Sequence, residues 1–419
     1  MNKPLLSLTS LVAFSVPAHA GPHAAITPPV DKPAATHNGD FCSWWSGRPF
    51  QYKSDSNFFL QELRFEGRYQ YQIGYLDGSD VNNDSFSNSF DDHRRFRLGF
   101  RTRLMDYFST KVVFNLVNDP RRNGAGSVNW GYQSFDEALV TFNLNKAAGG
   151  IGAFDSFNIS FGREKFVLSR EACTSSNNLL TMERSALSNK VYDSFRPTGF
   201  SADAKTGDWS FYGALFSAGR DGGNNGFLGS LDSRMIYLGS VGYKVNSELD
   251  LRFDAVYNDS NFGGGSDVNY RWATSFSADY NTGPWGVIGD VIIGDNGGAG
   301  NGVANPDRQD GFWGFVVMPY AWILEDKLQG VFQYQFAGSS ADEGIRVNSR
   351  YGRAGKNAPA DLGPGGGRGD KHHSLYAGLN HYLCGHNAKI QGGIEYQTMD
   401  TPAGSFDTWT YLLGFRTNF

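Results

Sequence analysis

With 419 residues, 53 of them glycine, an aromatic content of 15% and a formal charge of −5, the chain is too long for one small domain and too close to neutral for a nucleic-acid binder. It contains no run of about 18 apolar residues, which excludes an inner-membrane helical protein. Abundant glycine and aromatic side chains suit a β-rich chain with many turns.

Residues 1–20 begin with Lys3, pass through the apolar stretch Leu5–Val16 and end in Ala18, His19 and Ala20. That is the layout of a cleavable export signal cut before Gly21, with a short buried helix as the plainer alternative. Residues 21–57 are rich in Ala, Pro and Thr without any periodicity, and are expected to form a periplasmic leader that is disordered or orders only on contact. Asp40 and Phe41 stand where a lipidated Cys42 would need small residues, so no lipid anchor is expected. Three cysteines leave one without an intramolecular partner. Cys42 and Cys384 fall on the same side in the topology below and are a candidate disulfide, leaving Cys173 free. Two unpaired thiols are the equal alternative, because spacing does not fix connectivity.

Residues 58–419 alternate. In Leu60–Tyr75, Leu63, Phe65, Tyr69, Tyr71, Ile73 and Tyr75 share one parity, and Glu62, Arg64, Glu66, Arg68, Gln70 and Gln72 the other. In Asp92–Leu104, Phe96, Leu98, Phe100 and Leu104 oppose Arg95, Arg97, Arg101 and Arg103. A period of two means strands with one apolar and one charged face. A two-layer soluble domain could carry one such strand, whereas a membrane barrel requires the pattern throughout. The pattern recurs near Tyr107–Asn118, Ser134–Asn145, Ser156–Phe166, Pro197–Thr206, Trp209–Ala218, Arg234–Lys244, Glu248–Asn258 and Asn269–Asn281. It continues near Trp285–Gly294, Asp310–Ile323, Asp326–Ala337, Lys371–Leu383, Asn387–Met399 and Phe406–Phe419, for about sixteen strands.

Connections after strands 2, 6, 8, 10, 12 and 14 are short, and the intervening ones, among them Leu76–Asp91, Asp119–Gln133, Val167–Arg196, Asp295–Gln309 and Gly338–Asp370, are long. Short periplasmic turns alternating with longer outer loops are the habit of bacterial outer-membrane barrels, and an even strand count puts both termini in the periplasm. Trp209, Trp285, Trp322, Trp409, Tyr107 and Tyr280 sit near strand ends, where aromatic girdles meet the membrane interface. The chain also ends on an aromatic, Phe419, as outer-membrane barrels do. An all-β transmembrane antiparallel barrel in the outer membrane of a Gram-negative-type bacterium is therefore expected.

One segment carries a family resemblance. Gly162, Lys165, Glu171, Thr174, Ser175 and Ser176, followed by Met182, Glu183, Arg184 and Ser185, resemble the strand end and loop of the phosphate-selective porin O and P family. Arg346–Arg353 and Leu375–Gln397 look like that family's late strands, and Val167 departs from the proline often found there. The resemblance implies a sixteen-stranded homotrimeric porin whose third outer loop folds inward. Counting connections independently makes Val167–Arg196 the third long loop. Lys165, Arg170, Glu171, Glu183 and Arg184 then belong to a constriction loop.

Arginine facing lipid costs about 2–4 kcal/mol per residue at the midplane, so Arg64, Arg68, Arg95, Arg97, Arg101 and Arg103 are expected to line the lumen. A row of guanidinium groups there attracts small anions and can pass a phosphate between weak contacts. The rival reading is a general porin, in which Glu62, Glu66, Glu171 and Glu183 oppose the arginines and set a transverse field. Arg163 and Lys165 share parity with outward Ile159 and Phe161, so they are expected above the membrane band or where the strand bends into the loop.

No cofactor or metal is implied: His372 and His373 suit a polar rim, and Asp80–Asp84 and Asp259–Asp267 suit turns. An outer-membrane barrel enzyme would need a nucleophile with a partnered histidine, and no spacing suggests one. A barrel plugged by Gly338–Asp370 is the third alternative. The expected partners are outer-membrane lipid, two further copies of the chain and small anions as solutes, with no nucleic acid.

Overall fold

The computed structural model describes residues 41–46, 51–118, 128–192, 196–217, 235–259, 268–346 and 360–419. The expected export signal, the leader up to residue 40 and most of Asp259–Asp267 lie outside the described residues.

Where the sequence alternates, the backbone is extended. Sixteen strands result: β1 Leu60–Ser79, β2 Ser85–Leu104, β3 Phe108–Val117, β4 Trp130–Asn143, β5 Ser156–Arg163, β6 Thr198–Thr206, β7 Trp209–Ser217 and β8 Met235–Lys244, followed by β9 Leu249–Asn258, β10 Trp272–Asn281, β11 Trp285–Asp295, β12 Gly311–Leu324, β13 Leu328–Ser339, β14 Lys371–Tyr382, β15 Ala388–Thr401 and β16 Gly404–Asn418. Each pairs antiparallel with the next, and β16 returns to β1 with Leu413 opposite Ile73. Closure gives each of these strands a neighbour on both sides, as lipid demands because it offers backbone groups no hydrogen bonds.

The two parities meet different solvents. Phe65, Ile73, Val291, Phe332, Leu379, Ile394 and Leu413 stay exposed on the outside. Gln70, Gln72, Gln391, Thr408, Thr410 and Arg416 are buried within. Trp209, Trp285 and Trp409 belong to the exposed outer set. Trp322 does not: it lines the lumen, its ring 5.1 Å from that of buried Tyr382, because it falls on the inward parity of β12.

Several connections differ from expectation. The supposed long loop Leu76–Asp91 is a hairpin in which β1 and β2 run on to residues 79 and 85. Its turn is made by Asp80, whose Oδ1 accepts from the amides of Asn82 (2.8 Å) and Asp84 (3.0 Å). A strand that projects beyond lipid needs no apolar outer face, so its Asp, Ser and Asn residues conceal it. The outer turn between β15 and β16 is also short, spanning only 402–403. On the opposite end, 144–155 is long and contains a helical turn, Leu144–Ala147, capped by Asn143. The alternation of loop lengths is thus a tendency and not a strict rule. Arg346 is not in a barrel strand: Ile345–Arg346 pairs with Arg368–Gly369 inside an outer loop, and 347–353 lie outside the described residues. β5 stops at Arg163, short of Phe166, where the chain leaves the wall.

The leader has structure where it touches the barrel. A helix, α1 (Phe41–Ser46), places Trp45 Nε1 2.8 Å from Asn418 O, and Gln51–Lys53 pairs with β1, Tyr52 opposite Leu63. The Sγ atoms of Cys42 and Cys384 are 2.00 Å apart, joined as a disulfide, and Cys173 is free.

Candidate functional site

Arg64, Arg68, Arg95, Arg97, Arg101 and Arg103 all line the lumen. Alternation puts them on one wall, β1 and β2, and two bulges enrich it. Between Gln70 and Gln72 the register of β1 and β2 slips, so Arg94 and Arg95, adjacent in sequence, both reach the lumen. On β4 the same happens at Asp136, between Phe135 and Glu137, and both acids face inward.

The wall divides into cations paired directly with a carboxylate and cations hydrogen-bonded to neutral groups. Arg97 donates from Nη1 to Asp136 Oδ2 (2.6 Å) and from Nε to Asn115 Oδ1 (2.7 Å). Asp136 also accepts from Arg196 Nε at 3.0 Å. Arg94 pairs with Glu183 (2.6 Å), Arg101 with Glu66 (2.8 Å), Arg103 with Asp55 (3.6 Å), and Lys111 with Glu137. Arg68 and Arg95 differ: Arg68 Nη1 donates to Ser176 Oγ and Arg95 Nη1 to Gln70 Oε1, both at 2.6 Å and both to neutral groups.

The segment from 164 to 197 touches strands around much of the barrel. Ser169 N donates to Asp254 on β9 (3.3 Å), Arg170 N to Asp290 on β11 (2.8 Å), and the Arg170 guanidinium pairs with Asp279 on β10. Leu187 N donates to Gln335 on β13 (3.1 Å). Asn380 Nδ2 of β14 donates to Leu180 O (2.9 Å), Lys389 Nζ of β15 to Leu179 O (2.7 Å), and Arg416 of β16 to Met182 O. Phe166, Leu168, Leu187 and Val191 are buried against inward Phe216, Ile236, Val256, Ile292 and Phe312, an apolar contact that fixes the segment to one side of the lumen.

These contacts determine what the expected loop residues can do. Arg170 and Glu171 are 4% exposed and act as braces, Glu171 accepting from Ser185 N (3.1 Å) and Gln333 Nε2 (3.1 Å). Arg184 donates to the carbonyls of Glu171 and Thr174, both at 2.7 Å. Lys190 is held by Asn296 Oδ1 (2.7 Å) over the Phe312 ring, so neither it nor Arg170 is a solvated rim charge. Glu183 faces the arginine wall, and Lys165 Nζ donates to Thr174 O (3.2 Å) beside the Tyr192 ring. Arg163, whose Nε donates to Phe135 O (2.8 Å), lies where the chain turns off the wall.

Three groups in this segment are moved to near neutral pH, one of them Glu164, which burial pushes up to about 7. Burial pushes the Lys165 ammonium down to about 7. Burial would raise the Tyr192 phenol, but Arg196, Lys165 and Arg184 together outweigh it and bring it down to about 7. Arg196 Nη1 lies 2.7 Å from the Tyr192 oxygen. Sequence reasoning overlooked Asp136, Glu137, Lys111, Tyr192 and Arg196. The adjacent acids at 136 and 137, which break alternation, were the only available signal. Among the described residues no three His, Cys, Asp or Glu side chains are grouped to hold a metal ion.

The family model described as phosphate-selective porin O and P matches residues 63–287. Among solved structures, the outer membrane channel DcaP of Acinetobacter baumannii superposes with a TM-score of 0.57 at 12% identity, covering 88% of this chain and 99% of that one. OmpT of Vibrio cholerae in its trimer form gives 0.53 at 11% identity, with 85% and 99% covered. Salmonella typhi OmpF in complex with daunomycin gives 0.52 at 10%, with 85% and 98% covered. At these identities the likeness is one of fold. No curated protein is significantly similar in sequence.

Proposed function

The chain belongs to the phosphate-selective porin O and P family, and from that premise we propose that this outer-membrane channel is passive and prefers anions, with phosphate or polyphosphate among its solutes. The observation that carries the reading is Arg68, a lumen-lining cation bonded to neutral Ser176, with Arg95 on the adjacent strand, 6% exposed and bonded to neutral Gln70. A guanidinium hydrogen-bonded to a neutral group, with carboxylates near but not paired to it, attracts anions in a partly hydrated pore and binds them weakly enough to release them. Residues 164–197 serve as the constriction loop, braced by Arg170, Glu171 and Arg184, with Lys165 and Glu183 turned to the solute path. A homotrimer is the proposed assembly, by analogy with the trimer form of the Vibrio cholerae fold relative.

A general porin is the second reading, favoured by the ion pairs of Arg94, Arg97 and Arg101 with Glu183, Asp136 and Glu66. Purified protein in a planar bilayer under a chloride salt gradient distinguishes the two. The expected reversal potential lies on the anion side; a cation-side value rejects anion preference. Phosphate and polyphosphate should then reduce chloride conductance at concentrations where sulfate does not, and equal competition by sulfate would leave general anion passage without phosphate preference.

The same preference should depend on pH. Lys165, lowered to about 7, is cationic below that pH and neutral above it, and Tyr192 gains negative charge over the same interval. Both changes remove positive charge as pH rises. Anion selectivity is therefore expected to fall between about pH 6 and 8. Lys165→Arg with Tyr192→Phe should flatten the profile; an unchanged slope in that double variant would assign the titration to other groups.

A further inference from the structure

The lumen leaves one cluster without a role, the aromatic side chains beneath the end of β16. Phe419 continues the outward parity of Tyr411, Leu413 and Phe415, and its ring occupies the space over Gly67, where a Cβ would lie 2.3 Å from it. Trp45 meets that ring edge-on at 5.7 Å, and Phe41 stacks on Trp45 at 5.5 Å. Trp44 lies 5.9 Å from Phe41 and 6.0 Å from Trp45. The cluster thus runs without a break from the lipid-facing wall onto α1.

The helix has two faces. Cys42 and Trp45, three residues apart, bind the barrel through the disulfide and the hydrogen bond to Asn418. Phe41 and Trp44, also three apart, turn away and are 62% and 53% exposed. Residues 41–46 contain no charged side chain. Tyr52 pairs with outward Leu63 and so lies on the same outer face, exposed as well. Cys42 and Cys384 line the mouth of the lumen next to outward, exposed Leu383, so the disulfide anchors the helix at the rim of the barrel, within reach of its outer face.

We propose that α1 and Tyr52 form an interfacial foot, with Phe41, Trp44 and Tyr52 seated among the phospholipid headgroups of the inner leaflet of the outer membrane. Three observations select lipid as the occupant: continuity with the lipid-facing wall, absence of charge, and rings of the types that gather at the headgroup level. A short amphipathic helix of this kind buries its apolar face about 5–10 Å into the headgroup and acyl boundary. The disulfide holds it there, bridging residues 342 apart in the chain.

The test uses the full-length porin in phosphatidylethanolamine and phosphatidylglycerol vesicles that contain lipid brominated near the headgroup end of the acyl chain. The fluorescence lost in Trp44→Phe isolates the Trp44 contribution. Most of that contribution should be quenched by bromolipid and little of it by aqueous iodide. Quenching by iodide and not by bromolipid would put the foot in the periplasm; quenching by neither would mean a protein cover such as a second copy of this chain. Either result overturns the proposal. Tyr52→Trp in a background that retains Trp44 supplies a second reporter with the same expectation, should Trp44→Phe fail to assemble.

Discussion

Arg68→Glu combined with Arg95→Glu is expected to move the reversal potential from the anion side to the cation side. Each substitution replaces a cation bonded to a neutral group by an anion, so the field is reversed and not merely weakened. A unit charge passing about 4 Å from another in water-like surroundings feels about 1 kcal/mol, and more where the pore is less hydrated. Reversing two such charges changes the anion-to-cation permeability ratio by roughly tenfold or more. The effect should be largest at low ionic strength, because at 0.1 M salt charges are screened over about 10 Å. The informative control is Arg101→Gln with Glu66→Gln, which deletes a pair 2.8 Å apart and leaves the net charge unchanged. That variant should keep the parent selectivity. If it shifts the reversal potential as much as the double glutamate variant, cationic charge without a directly paired carboxylate is not the determinant, and the transverse field of a general porin is. Arg68→Gln with Arg95→Gln gives a graded version, with the anion preference reduced but not inverted.

The barrel was legible because lipid imposes a rule that acts residue by residue. Any strand with lipid on one side and water on the other must alternate, so β1 to β16 could be located from parity alone, most ends within a few residues. The rule fails where lipid is absent. The tops of β1 and β2, beyond the membrane, carry Asp, Ser and Asn on both faces and read as a loop. It also fails at bulges, where one extra residue resets parity: Arg94 and Asp136 reach the lumen for that reason. Orientation of the arginines followed from the cost of placing them in lipid. What each contributes did not follow, because compensation is a matter of long-range partners. Arg97 is offset by Asp136 and Arg94 by Glu183, 39 and 89 residues away, while Arg68 and Arg95 meet Ser176 and Gln70. Nor could the sequence distinguish a brace from a filter within the loop. Arg170 and Arg184 look as available as Lys165 until Asp279 and the carbonyls of Glu171 and Thr174 are seen to engage them.

Asp136→Asn should have two effects of opposite kind, and their combination reports on the architecture of the wall. Asp136 is 4% exposed and takes Arg97 on one oxygen and Arg196 on the other. It therefore ties the end of the loop segment to β2 through β4. Asparagine keeps the shape but not the charge, leaving two guanidinium groups without their shared anion. Breaking a buried pair by removing one partner costs about 3–5 kcal/mol, and lumen water that resolvates the arginines keeps this case at about 3. Urea unfolding in lipid should register that loss. In the channels that do fold, the lumen has gained one unit of positive charge beside Arg68, so the reversal potential should move further to the anion side. Glu137→Gln, one residue away and paired with Lys111, is the comparison: it adds the same unit of charge without loosening the loop. Equal gains in anion preference with a larger stability loss for Asp136→Asn would assign Asp136 both roles. A stability loss with no change in selectivity would make the Arg97, Asp136 and Arg196 bridge a brace alone, and the anion field would then have to come from elsewhere on the wall.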